Sequence, residues 1–229
     1  VGFKNAPQMY MFTLDGAVRE ERVGLGLTLV SERRGIFQRN GGSAAYSYRL
    51  KINNDAHLLF GLSAGVVNQT LDYSKAVAED YNDPTLFWGG AQQKTTFDGT
   101  AGLGIVWKGL QVGFSVPQVL GNKVNYVEDT TDTKTFYKHE RHYLGSLRYK
   151  FYLSEAKGIS ITPQALVRIV PNTPTQFDGN LNLDWQDKFW IGATYKSNYA
   201  VAVNAGICIN KKLYVGYSYD VIIGAVGKY

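Results

Sequence analysis

Apolar side chains recur at every second position almost from one end of the chain to the other, and this period of two constrains the fold more than any other feature of the sequence. The clearest segments set Val23, Leu25, Leu27 and Leu29 against Gly24, Gly26 and Thr28, and Leu110, Val112, Phe114 and Val116 against Gln111, Gly113 and Ser115. The same pattern runs through Tyr143 to Phe151, Ile159 to Ile169, Phe177 to Trp185, Val201 to Ile207 and Leu213 to Tyr219. A strand turns successive side chains to opposite faces, so each segment presents one greasy face and one small or polar face. Charges such as Arg148, Lys150 and Arg168 stay on the second. No long window carries a helical period, and no run of about 18 apolar residues exists for a membrane helix.

With weaker segments at Gln8 to Asp15, Gly41 to Ile52, Ala56 to Gln69, Thr95 to Trp107 and Phe189 to Tyr195, the reading predicts about twelve strands, many of them about 9 to 13 residues long. Strands of soluble proteins average roughly 5 to 6 residues, whereas a tilted strand crossing a bilayer needs about 9 to 11. Length therefore favours the membrane. Connection lengths point the same way, because outer-membrane barrels alternate short turns with longer loops. The odd-numbered connections (Gly16 to Glu20, Asn53 to Asp55, Lys108-Gly109, Ser154 to Lys157, Gln186-Asp187 and Asn210 to Lys212) read as tight polar turns. Their even-numbered counterparts include the long Thr70 to Lys94 and Gln118 to Tyr137 and the nine-residue Glu32 to Asn40, beside short links at Pro171 to Thr173 and Lys196 to Asn198.

In hydrocarbon an unpaired backbone N–H or C=O costs several kcal/mol, so a spanning sheet has to close on itself. The expectation is a single all-β domain over residues 1–229, an antiparallel transmembrane β-barrel of about fourteen strands when complete, with about twelve in this chain and terminal strands missing. Tyr10, Tyr48, Trp107, Tyr152, Trp185, Trp190, Tyr195, Tyr199 and Tyr214 fall near predicted strand ends, where an interfacial aromatic girdle is expected. The long loop after Thr70 carries Tyr73, Tyr81, Phe87 and Trp88 among acidic residues, a composition suited to a partner-binding surface or to a plug folded inward.

Chemistry has little foothold. The net charge of +5 forms no basic stripe, which argues against nucleic acid and leaves lipid headgroups as the anionic partner. Cys208 stands alone and reads as a packing residue. His139 and His142 point to opposite faces of a strand and share no metal, and no G-x-S-x-G elbow offers a nucleophile. Glycine spacings at Gly61 to Gly65 and Gly102 to Gly104 lie on strands and not in a phosphate cradle. The expectation is a binding protein with no catalytic residue, cofactor or metal.

Several stretches resemble the PorP/SprF family associated with the type IX secretion system. Gly2-Phe3-Lys4-Asn5-Ala6-Pro7-Gln8 is similar to the family's GFxxAPQ signature, and Arg22 to Leu27 to the glycine-leucine strand that follows it. Gly113 to Pro117 is similar to its G-L-S-V-P strand end. The fullest likeness runs from Pro163 to Lys196, through Asn180-Leu181-Asn182-Leu183 and Asp187 to Gly192, and Val215 to Asp220 closes it. Asp15-Gly16-Ala17 departs from the family's His-Gly-Pro-like turn. The resemblance implies a bacterial outer-membrane barrel that binds the C-terminal domain of a secreted protein or other secretion-system subunits. A channel or hydrophobic-ligand transporter on a similar barrel is the alternative.

Overall fold

The computed structural model describes residues 7–18, 22–72, 91–121, 123–125, 136–138, 140–197, 199–209 and 213–223. Their regular structure is entirely β. The strands are β1 (Gln8–Val18), β2 (Val23–Arg34), β3 (Phe37–Lys51), β4 (Ala56–Asp72), β5 (Ala91–Trp107), β6 (Leu110–Pro117), β7 (Lys123–Asn125), β8 (Phe136–Lys138), β9 (Tyr143–Tyr149), β10 (Phe151–Ser154), β11 (Ile159–Ile169), β12 (Gln176–Trp185), β13 (Phe189–Lys196), β14 (Ala200–Ile209) and β15 (Leu213–Ile222). Thirteen form one sheet in the order β1-β2-β3-β4-β5-β6-β9-β11-β12-β13-β14-β15, with β10 paired to β11; β7 and β8 form a separate pair. Every ladder whose register is resolved is antiparallel.

The split between β9 and β10 has a local cause. Gln164 pairs with Arg148 and Ile161 with Phe151, and between them lies Pro163, which has no N–H for the ladder. Without that donor the pairing lapses, so one long segment on the β6 side becomes two strands. Counting them as one leaves twelve strands along the sheet, as the alternation predicts.

Two compact units divide the chain: Val1–Arg49, Phe60–Ala101 and Val116–Arg141 form one, and Leu50–Leu59, Gly102–Ser115 and His142–Tyr229 the other. In the first, β1, β2 and β3 are in register, Phe12 facing Leu29 and Leu14 facing Leu27, with Leu25 opposite Tyr46. Residues directly opposite share a face, so these side chains make one apolar surface. The other surface holds Thr13, Asp15, Gly26, Thr28, Ser43 and Ala45.

The second unit sorts its faces more completely. Ile161, Leu183 and Ile191 lie in one cross-strand row, Pro163, Leu181, Ala193 and Val203 in the next, and Tyr195, Val201 and Val221 in another. No charged or amide side chain interrupts this face from β11 to β15. Its reverse carries Ser160, Thr162, Gln164, Asn180, Asn182, Asn204 and Ser218.

The apolar face is the exposed one. Leu181 is 49% exposed, Ile191 55%, Val203 52% and Leu27 41%, while only Val67, Leu71, Ala200 and Ala202 are buried apolar residues among those described. In water, half-exposing ten such side chains would forgo roughly 7–15 kcal/mol, since full burial of each stabilises by about 1.5–3 kcal/mol. That equals the whole stability of an ordinary domain, about 5–15 kcal/mol. A continuous surface of this kind needs a second apolar medium against it.

One connection differs from the sequence reading. The predicted loop Glu32 to Asn40 is a hairpin in which Arg34 pairs with Phe37 across the two-residue link Gly35-Ile36. Gly35 has φ of +55°, a left-handed conformation that tight hairpins demand and that glycine adopts without penalty. The charges that suggested a loop are borne by paired strands. Likewise, Gln118 to Tyr137 includes the β7–β8 pair, and the strands flanking Thr70 to Lys94 reach Asp72 and resume at Ala91.

Candidate partner-binding site

The ends of β2 to β5 show where the apolar face stops. On β5 its side chains run Trp107, Ile105, Leu103, Ala101, Gly99 and Phe97, then change to Thr95 and Gln93. The ten residue steps from Phe97 to Trp107 cover about 34 Å along the strand, or about 25 Å along a membrane normal at a tilt near 43°. This matches the height of the apolar band of an outer-membrane barrel.

Past that limit the exposed face is held by polar pairs. Asn68 Nδ2 donates to Thr95 Oγ1 at 2.9 Å, and Gln93 Nε2 donates to Asn68 Oδ1 at 2.9 Å. On the neighbouring hairpin Ser31 Oγ donates to Asn40 Oδ1 at 2.8 Å, and on the reverse face Arg34 is ion-paired with Glu32. The backbone stays in ladder geometry here, with Asp72 N bonded to Ile36 O at 3.0 Å. Nearby, Arg141 Nε donates to Val119 O at 2.8 Å, and Val119 N to Gly99 O at 3.0 Å. The result is a polar panel of paired strands continuing beyond the apolar band.

The partner-loop candidates Tyr73, Tyr81, Phe87 and Trp88 lie outside the described residues, as does His139. Of the girdle candidates, Trp107 (52% exposed), Trp185 (57%), Tyr195 (49%) and Tyr199 (49%) are exposed, the first three on the apolar face at or near strand ends. Trp190 and Tyr214 are placed differently. Trp190 pairs with Gly206, and Tyr214 with Cys208, on the polar face. Nearness to a strand end leaves open which way a ring turns, and the register decides it.

Their actual role is packing. A Cβ on Gly206 would lie 2.0 Å from Trp190 Cζ2, and one on Gly216 would lie 2.9 Å from the same atom. The indole therefore spans from β13 across β14 to β15, a route only glycines leave open. Tyr214 stands 6.1 Å from Trp190, ring centre to ring centre. The neighbouring rows use the same device. Asn182 Oδ1 overlies Gly192, and Lys196 on β13 is ion-paired with Asp220 on β15 over Ala200 and Ala202, which are 0% and 2% exposed. Cys208 is the free thiol of this face and packs opposite Tyr214.

Polar groups on this face are otherwise hydrogen-bonded in part. Asn180 Nδ2 donates to Thr194 Oγ1 at 2.7 Å and Thr162 Oγ1 to Asp184 at 3.3 Å, whereas the buried Oδ1 atoms of Asn180 and Asn182 have no hydrogen-bond partner among the described residues. At the turns, Lys150 Nζ meets Asp187 Oδ1 at 3.2 Å. Burial acts to lower the Lys150 pKa, but the hydrogen bond and charge of Asp187 outweigh it and hold the ammonium above its ordinary range. Among the described residues no cluster of His, Cys, Asp or Glu has the makings of a metal site, and no helix is long and apolar enough to cross a membrane.

No curated protein and no solved structure matches the chain. The sequence model of one family does, described as "Type IX secretion system membrane protein PorP/SprF", over residues 1–229. With its exposed apolar face and all-β antiparallel sheet, the chain belongs to the PorP/SprF family of type IX secretion system membrane proteins.

Proposed function

We propose that this protein is an outer-membrane β-barrel that binds, anchors or helps export a secreted surface protein through its extracellular loops, with no chemical step. The observation that carries the reading is the polar panel at the ends of β2 to β5. Strands of 17 residues at β4 and β5 are longer than lipid requires, and the excess carries polar side chains hydrogen-bonded across the strands. A hydrogen-bonded base of this kind suits presentation of the segment bearing Tyr73, Tyr81, Phe87 and Trp88, whose rings are the side chains binding surfaces favour. The occupant is the C-terminal domain of a secreted protein or another subunit of the secretion machinery.

Deleting Asp83 to Gly90 and isolating the tagged protein from outer membranes tests this reading. Partner recovery should fall at least tenfold while the barrel still migrates as a folded species. Undiminished capture would refute the loop's role.

One observation favours a second reading, a channel. The polar face is lined with Gln111, Arg148, Gln164, Asn180 and Thr194 across successive strands, a composition suited to water. Planar-bilayer recording separates the two, since a binding barrel with a filled interior is silent and a pore conducts.

A further inference from the structure

The second unit carries a row of turns whose chemistry neither partner capture nor conduction uses. Lys150 N bonds to Gly109 O at 3.0 Å, which joins the Lys108-Gly109 turn to the β9–β10 junction. Lys150 Nζ meets Asp187, and Gln186 N bonds to Gly158 O at 2.7 Å, which brings the 155–158 turn alongside the 186–188 turn. Lys108 N also bonds to Asp55 O at 2.9 Å, so four lysines (Lys108, Lys150, Lys157 and Lys188) share one row with three carboxylates, Asp55, Glu155 and Asp187. Beside them, toward the ends of the apolar face, stand Trp107, Tyr149, Phe151, Trp185 and Phe189, each 37–57% exposed. At the margin of the apolar face the Lys108 ammonium lies 5.7 Å from the Trp107 ring centre, while Lys150 lies 5.2 Å from the ring centre of Tyr152 on the polar face.

Rings at the margin of an apolar surface settle at the depth of ester and glycerol groups, and lysine stems reach outward from there. An ammonium held over a ring at that depth lies where lipid phosphates sit. The surplus of cations sets the sign of the ligand. We propose that this row of turns is a binding surface for the headgroups of anionic glycerophospholipids, with the rings at the ester level and Lys108, Lys157 and Lys188 on the phosphates. Lys150 is committed to Asp187 and holds the row together.

The test uses the full chain with Trp88→Phe and Trp185→Phe, reconstituted in vesicles of phosphatidylcholine containing brominated acyl chains on either phosphatidylcholine or phosphatidylglycerol. Trp190 faces away from lipid, so bromine quenches Trp107. At low salt, brominated phosphatidylglycerol should quench with an apparent affinity about two to five times that of brominated phosphatidylcholine, as expected for a surface cation surplus worth up to about fivefold per lysine. Raising salt to about 0.5 M should bring the ratio to roughly one, because the screening length then falls to a few ångströms. Lys108→Gln with Lys157→Gln and Lys188→Gln should abolish the preference at low salt, and Lys108→Gln alone should reduce it if the triple variant does not fold. Arg33→Gln, on β2 of the first unit, should leave it intact. Equal quenching by both lipids in the parent, a preference that ignores salt, or a preference lost with Arg33 and kept without the lysines would overturn the proposal.

Discussion

Strands β2 to β5 and strands β11 to β15 are built from the same alternation, yet they end differently. The first group is 12 to 17 residues long and its exposed face turns polar at Ser31, Asn40, Asn68 and Thr95. The second is 8 to 11 residues long and stays apolar to its limits, from Trp185 to Phe177 and from Leu213 to Val221. Crossing lipid needs only the shorter length. The extra residues of the first group therefore stand outside the hydrocarbon, and the side chains at the change of character mark its boundary.

Substitutions of one kind at the two places break or sharpen this contrast. Leu183→Arg, in mid-band, should destabilise the folded protein by about 2–4 kcal/mol in a bilayer unfolding titration, while Asn68→Arg should cost no more than about 1 kcal/mol. Similar costs at the two sites would erase the boundary.

Next in size is the polar face of β13 to β15. Gly206→Val drives a branched side chain into Trp190 and should cost about 1–3 kcal/mol; Trp190→Ala on that background should recover part of the loss, as a double-mutant cycle would show. Additive losses would mean that the indole does not lie over the glycine. Smaller still, Lys196→Met should cost about 0.5–1 kcal/mol and lose that effect as salt rises, since the Lys196–Asp220 pair is partly open to water. Ser31→Ala should change stability by under about 0.5 kcal/mol, because its hydrogen bond to Asn40 is replaced by bonds to water.

The same contrast explains what could be read from the sequence. Period-two alternation made the strands of β11 to β15 legible because one face meets lipid along its full length, so Leu181 and Leu183 alternate with Asn180 and Asn182 without a break. At Glu32 to Asn40 the signal vanishes although the strands continue. Once both faces meet water, polarity no longer separates strand from loop, and Arg33 paired with Gln38 looks like a turn. The side on which Trp190 and Tyr214 lie was illegible for another reason. A ring beside a turn reads alike on either face, and only the glycines at 206 and 216, two strands' worth of missing side chains, betray the slot that Trp190 fills. Of the site itself the sequence offered ring-rich loop residues, while the paired polar panel depends on cross-strand neighbours that no local pattern reveals.

The account stands or falls on what touches the exposed apolar face. Single cysteines carrying a spin label, placed at Leu27, Leu183, Val203, Arg33 and Gln93 in a chain with Cys208→Ala and reconstituted in vesicles, measure this by collision with oxygen and with a water-soluble nickel chelate. At Leu27, Leu183 and Val203 the label should meet oxygen freely and the chelate hardly at all, and at Arg33 and Gln93 the order should reverse. Chelate access at Leu183 equal to that at Gln93, or a label at Leu183 shielded from both reagents by protein packing, would contradict it.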